Sequence, residues 1–374
     1  MSGRRPGAPG PLSAGVVLVV EQLRRPVPGG IGTYARGLVQ GLAALGAAGR
    51  RPFPVRLHAS RPRQRPDPLA GLGLPLEASR LPGPLLVRAW SAGAGGPRRG
   101  ALVHATSLAA PPPRLPLVAT VHDLCWRRFP EAYPRRGRAW HEAALRRVAR
   151  RAAVLVVPSA SVAGELLGAG AGLTPDRVRV VEEGADHLPP PDLAGARRLL
   201  GDLGVTGPFL LAVGTLEPRK NLERLVGAYG RARGELPEPW PLVLAGPPGW
   251  GPRVDAGPGV LAAGRVPDAV LAGLYGLARC CAYVPLAEGF GLPVVEAMRA
   301  GSPVVSSDVP SAAGASLVVD PLDVDAIAAG LVEAACDEPA RARLVAAGRA
   351  RAGELTWERC AEAHVRVWED VAGG

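Results

Sequence analysis

The 374-residue chain contains one lysine (Lys220), one asparagine (Asn221), two isoleucines (Ile31 and Ile327) and, after its first residue, one methionine (Met298). Basic residues are otherwise written as Arg and aliphatics as Ala, Val and Leu, an alphabet that reflects a GC-rich coding bias rather than a function. No apolar run approaches the ~20 residues of a membrane-spanning helix. The apolar stretch 14–20 follows Arg4 and Arg5 but is ended by Glu21 without a small-residue cleavage pattern, so an N-terminal strand is expected rather than a secretory leader. The five cysteines are odd in number and lack C-x-x-C spacing, which argues against a disulfide framework or a zinc site and for reduced core thiols in a cytoplasmic protein. Aromatics make up only 4% of the chain, so no stacking platform accompanies its positive charge and nucleic acid is not expected as a partner.

What is present is glycine (49), proline (41) and a formal net charge of +11. The length fits two domains. The charge is uneven: residues 1–188 hold 27 Arg against 11 Asp and Glu, whereas residues 189–374 are slightly acidic. Between Arg127 and Arg151 there are nine arginines and two glutamates. Pro134 is suited to open a helix there, with Trp140, Ala144, Leu145, Val148 and Ala152 on one face and Arg146, Arg147 and Arg150 on the other. A packed helix with a solvated arginine face accounts for this pattern; so does a surface meeting anionic lipid or an anionic acceptor.

Apolar runs suited to buried strands alternate with helix-period segments. Strands are expected at 15–21, 53–58, 101–104, 116–122, 153–158 and 178–181, with a helix over about 33–45 and mostly loop over 60–100. After the proline-rich break at 188–192 come strands at 209–213, 242–245, 260–263, 280–284, 303–306 and 317–319, separated by helices at 219–233, 268–277, 292–300 and 323–336. Final helices are expected at 339–351 and 357–371. Strand–helix alternation on both sides of a linker implies an α/β protein with two Rossmann-like parallel-sheet domains whose strand ends face a shared cleft.

Four strings stand at strand–helix junctions. Gly29-Gly30-Ile31-Gly32-Thr33-Tyr34 follows the first strand, where backbone amides and a helix start favour an anion, although a structural turn explains it equally well. Gly214-Thr215-Leu216-Glu217-Pro218-Arg219-Lys220-Asn221 places two adjacent cations at a helix start, which suits a diphosphate. The only lysine and the only asparagine sit side by side within it. Glu288-Gly289-Phe290-Gly291-Leu292-Pro293-Val294-Val295-Glu296 carries one carboxylate in a loop and a second on the following helix, chemistry that accepts sugar and ribose hydroxyls. Val121-His122-Asp123-Leu124 closes a strand and leaves His122 at its C-terminal end.

These strings, with Phe129-Pro130-Glu131, Gly246-Pro247-Pro248-Gly249-Trp250-Gly251, Ala300-Gly301-Ser302-Pro303-Val304-Val305 and Val319-Asp320-Pro321-Leu322, make the chain resemble the retaining GT-B glycosyltransferases of the family that includes bacterial mannosyltransferases (group 1, family 4). The resemblance covers about 15–370. It implies a nucleotide-sugar donor, GDP- or UDP-linked, with Arg219 and Lys220 on the diphosphate, Glu296 on the ribose, and Glu288 with the amides near Phe290, Gly291 and Leu292 on the transferred sugar. Gly214 belongs to the same donor site, Gly30 and Gly32 approach the phosphates, Val266 contacts the base, and His122 lies near the reacting sugar, making His122 and Glu288 the catalytic candidates. It implies transfer of a hexose, mannose as first choice, with retention, to a glycan, lipid-linked or small-molecule acceptor in cell-envelope glycan synthesis. No cofactor and no metal is implied; Asp323-Val324-Asp325 mimics a metal motif but reads as a helix cap.

Three features depart from the family pattern. The usual Pro-Glu-x-x-Gly is replaced by the short Asp308–Gly314 segment, Pro-Asn-Gly-Val-Asp by Glu182-Glu183-Gly184-Ala185-Asp186, and only Leu286 and Ala287 separate Pro285 from Glu288. The alternatives are a non-catalytic sugar-nucleotide-binding protein and a GT-B sugar-nucleotide epimerase. The expected division is an acceptor-side domain at 1–188, a linker at 189–207, a donor domain at 208–355 and a C-terminal helix at 356–374 able to cross back to the first domain. The expected location is cytoplasmic, with the basic half as a peripheral contact to the inner membrane face.

Overall fold

The computed structural model describes residues 11–63, 66–170, 172–238, 240–249 and 257–373. In chain order the elements are β1 (Val16–Val19), α1 (Gly29–Ala47), β2 (Val55–Ala59), β3 (Leu76–Ala78), α2 (Gly83–Ser91), β4 (Leu102–Ala105), β5 (Leu117–Thr120), α3 (Cys125–Arg128), α4 (Arg135–Arg151), β6 (Val154–Val157), α5 (Ala160–Gly168) and β7 (Val178–Val180). There follow α6 (Leu193–Asp202), β8 (Leu210–Val213), α7 (Leu222–Ala232), β9 (Leu242–Ala245), β10 (Val260–Gly264), α8 (Asp268–Leu277), β11 (Cys280–Tyr283), α9 (Leu292–Ala300), β12 (Val304–Ser306), β13 (Leu317–Val318), α10 (Val324–Cys336), α11 (Glu338–Glu354) and α12 (Trp357–Gly373).

The strands form two sheets, ordered β3-β2-β1-β4-β5-β6-β7 and β10-β9-β8-β11-β12-β13. All pairings are parallel; Val16 faces Val55 on one side and Leu102 on the other, and Leu210 faces Leu242 and Cys280. In both sheets the first strand in sequence is central and the order reverses beside it, the switch point where doubly wound sheets carry ligands. β1, β4, β5, β6, β9 and β11 are buried at every position, which is why they read as unbroken apolar runs rather than alternating ones.

The chain forms two compact units. Unit 1 comprises Met1–His122, Ala139–Val181 and Trp357–Gly374; unit 2 comprises Asp123–Arg138 and Glu182–Thr356. This differs from the sequence-based division at 188, because the segment from Asp123 to Arg138 groups with the second sheet. The expected linker at 189–207 holds α6, capped by Asp192 and packed on α8, so it is part of unit 2 rather than a spacer. Two elements were also absent from the sequence reading of 60–100: β3 adds an edge strand beside β2, and α2 buries Leu86 and Trp90.

Unit 1 is closed by α12, whose fit depends on α1. A Cβ on Gly37 would lie 2.1 Å from the Trp357 ring, and one on Gly41 would lie 2.2 Å from the Trp357 carbonyl oxygen. Glycine inside a helix costs about 1 kcal/mol; here it lets two helices approach to backbone contact. In unit 2, Leu225 and Tyr229 of α7 and Ile327 and Leu331 of α10 share one buried cluster with Leu210 and Leu242 of the sheet. Each such side chain contributes about 1.5–3 kcal/mol on burial.

In α4 the packed residues are Ala144, Leu145, Val148 and Ala149, while Arg146 and Arg150 are exposed. Trp140, expected on the packed face, is half-buried, and Arg147 reaches the Ser91 hydroxyl at 3.4 Å. The five cysteines are free. Burial pushes the Cys281 thiol up to about 12 and the Cys125 and Cys280 thiols further, so they pack as small apolar groups. Among the described residues no helix is long and apolar enough to cross a membrane.

Candidate functional site

The site in unit 2 begins where β8 and β9 end. Gly214 and Gly246 hold φ +153 and +154, and a Cβ on Gly246 would sit 2.0 Å from the Gly214 carbonyl oxygen. Only glycine allows these two turns to lie against each other. Beyond Gly249 the loop, with Trp250 and Gly251 of the family string, falls outside the described residues. After Gly214, Pro218 starts a single 3-10 turn over Pro218–Lys220, and Asn221 ends it in the left-handed region at φ +60. Asparagine tolerates that conformation. Its buried side chain donates to the carbonyls of Val284 at 3.0 Å and Pro321 at 2.7 Å. The only asparagine in the chain is therefore explained by the fold: it ties the turn to the loops after β11 and β13.

That turn delivers Arg219 and Lys220 to Glu288. Arg219 donates to Glu288 Oε2 at 3.0 Å, to Glu217 Oε1 at 2.8 Å and to the Ala287 carbonyl at 3.1 Å. Lys220 Nζ donates to the same Glu288 oxygen and to the Tyr283 hydroxyl, both at 2.6 Å, and Tyr283 in turn donates to Glu288. Two cations and two carboxylates thus neutralise each other. Burial alone would raise the Glu288 carboxyl, but the charges of Arg219 and Lys220 and the hydrogen bonds from Lys220 and Tyr283 outweigh it and hold the group well below the usual carboxylate range. Burial likewise opposes charge on Arg219, and Glu288 followed by Asp123 restores it. The phenol of Tyr283 is pushed well up by burial and by Glu288, so it stays a neutral donor.

The loop after Glu288 is held from behind. Gly291, at φ +103, is the N-cap of α9, and Pro293 lies in the first turn of that helix. Ser311 donates its backbone amide to the Phe290 carbonyl at 3.0 Å and its hydroxyl to the Gly291 carbonyl at 2.9 Å. Within the Asp308–Gly314 segment, Ser311 thus grips this loop directly. One turn into α9, Glu296 is buried with both oxygens engaged: His187 Nε2 at 2.9 Å and the Tyr275 hydroxyl at 2.8 Å. Burial alone would lower His187, but its bond to Glu296 and the charges of Glu296, Glu183 and Asp186 leave it raised.

The structure brings Gly214, Arg219, Lys220 and Glu288 together, puts Phe290, Gly291 and Leu292 on the adjoining loop and helix start, and leaves half-buried Val266 on the turn between β10 and α8. Sequence reasoning gave no role to Glu217, Tyr283, His187 or Tyr275. Tyr283 was hidden as one apolar position of a strand, and Tyr275 as one position of an apolar helix face. Glu217 stood within a recognised string and His187 directly after one, which was the available signal. Asp123 acts on Arg219 from within unit 2, a placement that the strand ending at His122 does not reveal. Asp323 caps α10 by accepting from the amides of Asp325 at 2.9 Å and Ala326 at 3.0 Å, and Asp325 pairs with Arg231 at the surface.

Gly30, Gly32 and His122 belong to unit 1. The glycine string is not a loop before a helix starting near Thr33; it is the first turn of α1, which begins at Gly29 with Pro28 as its N-cap. Glycine's low helix propensity concealed this. Gly30 faces open space, whereas a Cβ on Gly32 would meet Pro28 at 2.2 Å. His122 Nε2 lies 2.9 Å from the Thr106 carbonyl, and its ring stands edge-on to the buried Tyr34 ring with centroids 4.7 Å apart.

A family model for Glycosyltransferase Family 4 matches residues 28–187, and one for Glycosyl transferases group 1 matches residues 207–337. Among curated proteins, the chain is 39% identical over 173 residues to O-antigen chain mannosyltransferase B of Escherichia coli, covering 43% of this chain and 45% of that one. It is 34% identical over 173 residues to a phosphatidyl-myo-inositol mannosyltransferase of Mycobacterium tuberculosis, covering 42% and 45%. The match thus spans just under half the length of either relative. Among solved structures, HepE of Anabaena in complex with UDP and glucose superposes with a TM-score of 0.69 at 18% identity, over 94% of this chain and 98% of that one. Two Rossmann-like parallel sheets, matched by one glycosyltransferase model each, place the chain in the GT-B glycosyltransferase family of group 1 and family 4.

Proposed function

We propose that this protein transfers a hexose, mannose by preference, from a nucleotide-diphosphate sugar to a glycan, lipid-linked or small-molecule acceptor with retention at the anomeric carbon. The observation that carries the reading is the Arg219–Lys220–Glu288 cluster at the mouth of β8 and β11. Glu288 holds the two cations as an internal anion. A donor diphosphate would take over Arg219 and Lys220, freeing Glu288 to accept hydroxyl hydrogens of the sugar. Glu296 would accept from the ribose, and the amides around Phe290, Gly291 and Leu292 would line the sugar. Mannose as the donor sugar rests on the mannosyltransferase relatives alone.

In the proposed step the bond from the anomeric carbon to the diphosphate oxygen breaks and its electron pair leaves with the phosphate. Arg219 and Lys220 stabilise that charge without a metal ion. The acceptor oxygen attacks from the same face, and its proton passes to the leaving phosphate. Thermal-shift screening of nucleotide sugars, followed by turnover with lipid-linked and polyol acceptors, tests the reading. Stabilisation by GDP- or UDP-sugars with sugar transfer supports it; binding without transfer would favour a non-catalytic sugar-nucleotide-binding protein.

A further inference from the structure

Five side chains in the interior of unit 1 form a continuous hydrogen-bonded chain from one part of α12 back to another. Trp368 Nε1 lies 3.2 Å from His104 Nδ1, and His104 Nε2 lies 2.9 Å from Thr120 Oγ1. Thr120 Oγ1 is 2.9 Å from the Tyr34 hydroxyl, which is 2.8 Å from His364 Nε2. His364 Nδ1 then meets the Cys360 carbonyl at 2.8 Å. All five are essentially inaccessible to solvent.

The two ends fix the direction of the whole chain. An indole N–H only donates and a carbonyl only accepts. His104 Nδ1 must therefore accept, so the proton of a neutral ring is on Nε2 and is donated to Thr120. Thr120 donates to Tyr34. At the far end His364 Nδ1 must donate, so Nε2 accepts from Tyr34. Each group finds a partner only if both rings are neutral and carry opposite tautomers. A proton added to His104 would set donor against donor at Trp368, and one added to His364 would reverse the Tyr34 and Thr120 hydroxyls and leave that of Thr120 without an acceptor in the chain. Burial moves both histidines down from their usual value, His364 to about 4, in keeping with that geometry.

Tyr34 is the junction. It belongs to the glycine string at the start of α1, and its ring edge abuts His122. We propose that His364 is a positioning residue of α12, which, through the directed chain with Tyr34, Thr120, His104 and Trp368, fixes the Tyr34 ring and so the orientation of His122. The link to turnover rests on the proposed role of His122 near the reacting sugar; the link to geometry does not.

The test uses the full chain with 15N-labelled histidine and three variants: Tyr34→Phe, His364→Leu and His364→Gln, whose side-chain oxygen can still accept from Tyr34. Long-range nitrogen–proton NMR of the wild type is expected to show His104 as the Nε2–H tautomer and His364 as the Nδ1–H tautomer, both neutral at pH 7. Tyr34→Phe and His364→Leu are expected to shift the His122 ring nitrogens and to lower kcat with a nucleotide-sugar donor on the order of tenfold or more, with donor KM within about twofold. His364→Gln is expected to restore most of kcat and the His122 signals. A charged or oppositely tautomerised ring at pH 7, or folded Tyr34→Phe and His364→Leu proteins with unmoved His122 signals, overturns the proposal. If the wild type turns over no donor, the functional reading fails, and the His122 signals in the same variants still decide the positioning claim.

Discussion

The two units handle buried polarity in opposite ways. Unit 2 gathers ionised groups at its strand ends, where Arg219, Lys220 and Glu288 keep 13–14% of their side-chain surface exposed. Unit 1 buries His104 and His364 completely, in a chain of donors and acceptors that is satisfied only when both are neutral. The difference follows from solvation. A charge at a partly wet strand end is tolerable when paired and can be handed to a ligand, whereas a charge in a dry interior costs several kcal/mol even when paired. Unit 2 thus holds charge in reserve for a ligand, and unit 1 holds geometry.

The largest expected contrast is chemical. Replacing Glu288 by Ala should reduce sugar transfer on the order of 100-fold or more, yet leave nucleoside diphosphate binding unchanged or tighter, because Arg219 and Lys220 lose their internal anion. Steady-state turnover and calorimetry on the same preparation check this; full turnover would show that the carboxylate is only structural.

Acid should separate the units next. His364 takes up a proton at about 4 in the folded chain and at about 6.5 when unfolded, so the unfolded state binds more protons between those values. Its contribution, roughly 3 kcal/mol over the full window, is complete above pH 6.5 and is lost as pH falls toward 4. In unit 2 the raised His187 has the opposite sign: it stabilises at low pH and fades as pH rises through its folded value. The lowered Glu288 begins to lose its contribution only below the unfolded carboxyl value of 4.5. Hydrogen exchange at pH 5 should therefore show opening of β4, β5 and α12 while β8, β11 and α9 stay protected; equal opening of both sheets would contradict this.

Packing gives a smaller effect with a distinctive sign. Gly→Ala in a helix ordinarily stabilises by about 0.5–1 kcal/mol. Gly37→Ala should instead destabilise by roughly 1–3 kcal/mol, because the added methyl meets the Trp357 ring, and urea melts of the variant give the sign directly. The weakest expected effect concerns the exposed arginines of α4. If they meet anionic lipid, the protein should float with phosphatidylglycerol vesicles in low salt and be released by salt; flotation indifferent to lipid charge would leave those arginines as a solvated face.

Much of this was legible in the sequence because parallel strands buried on both faces announce themselves. The spans of β9, α8 and α9 were anticipated residue for residue. Where the reading fell short, a local signal was outweighed by tertiary placement. β3 is a three-residue, half-exposed edge strand in a proline-rich stretch, and α6 lies in the presumed linker with a modest apolar face. The glycines at the start of α1 read as a turn although they continue into helix. At the candidate site, the charged partners were visible because charge is rare beside glycine turns. Tyr283 and Tyr275 were not, because a phenol in an apolar run looks like core until its hydroxyl is seen on a carboxylate. The rarity of Lys220 and Asn221 pointed to one place for two reasons: the lysine pairs with Glu288, and the asparagine supplies a left-handed turn.

The central claim is that Arg219 and Lys220 are held in readiness for a diphosphate. Calorimetric titration of GDP and UDP into the wild type and Lys220→Ala tests it most directly. A charge-assisted hydrogen bond contributes about 1.5–3 kcal/mol, so the variant should bind the preferred nucleotide roughly 10- to 100-fold more weakly while melting cooperatively. Unchanged affinity in a folded variant would contradict the account.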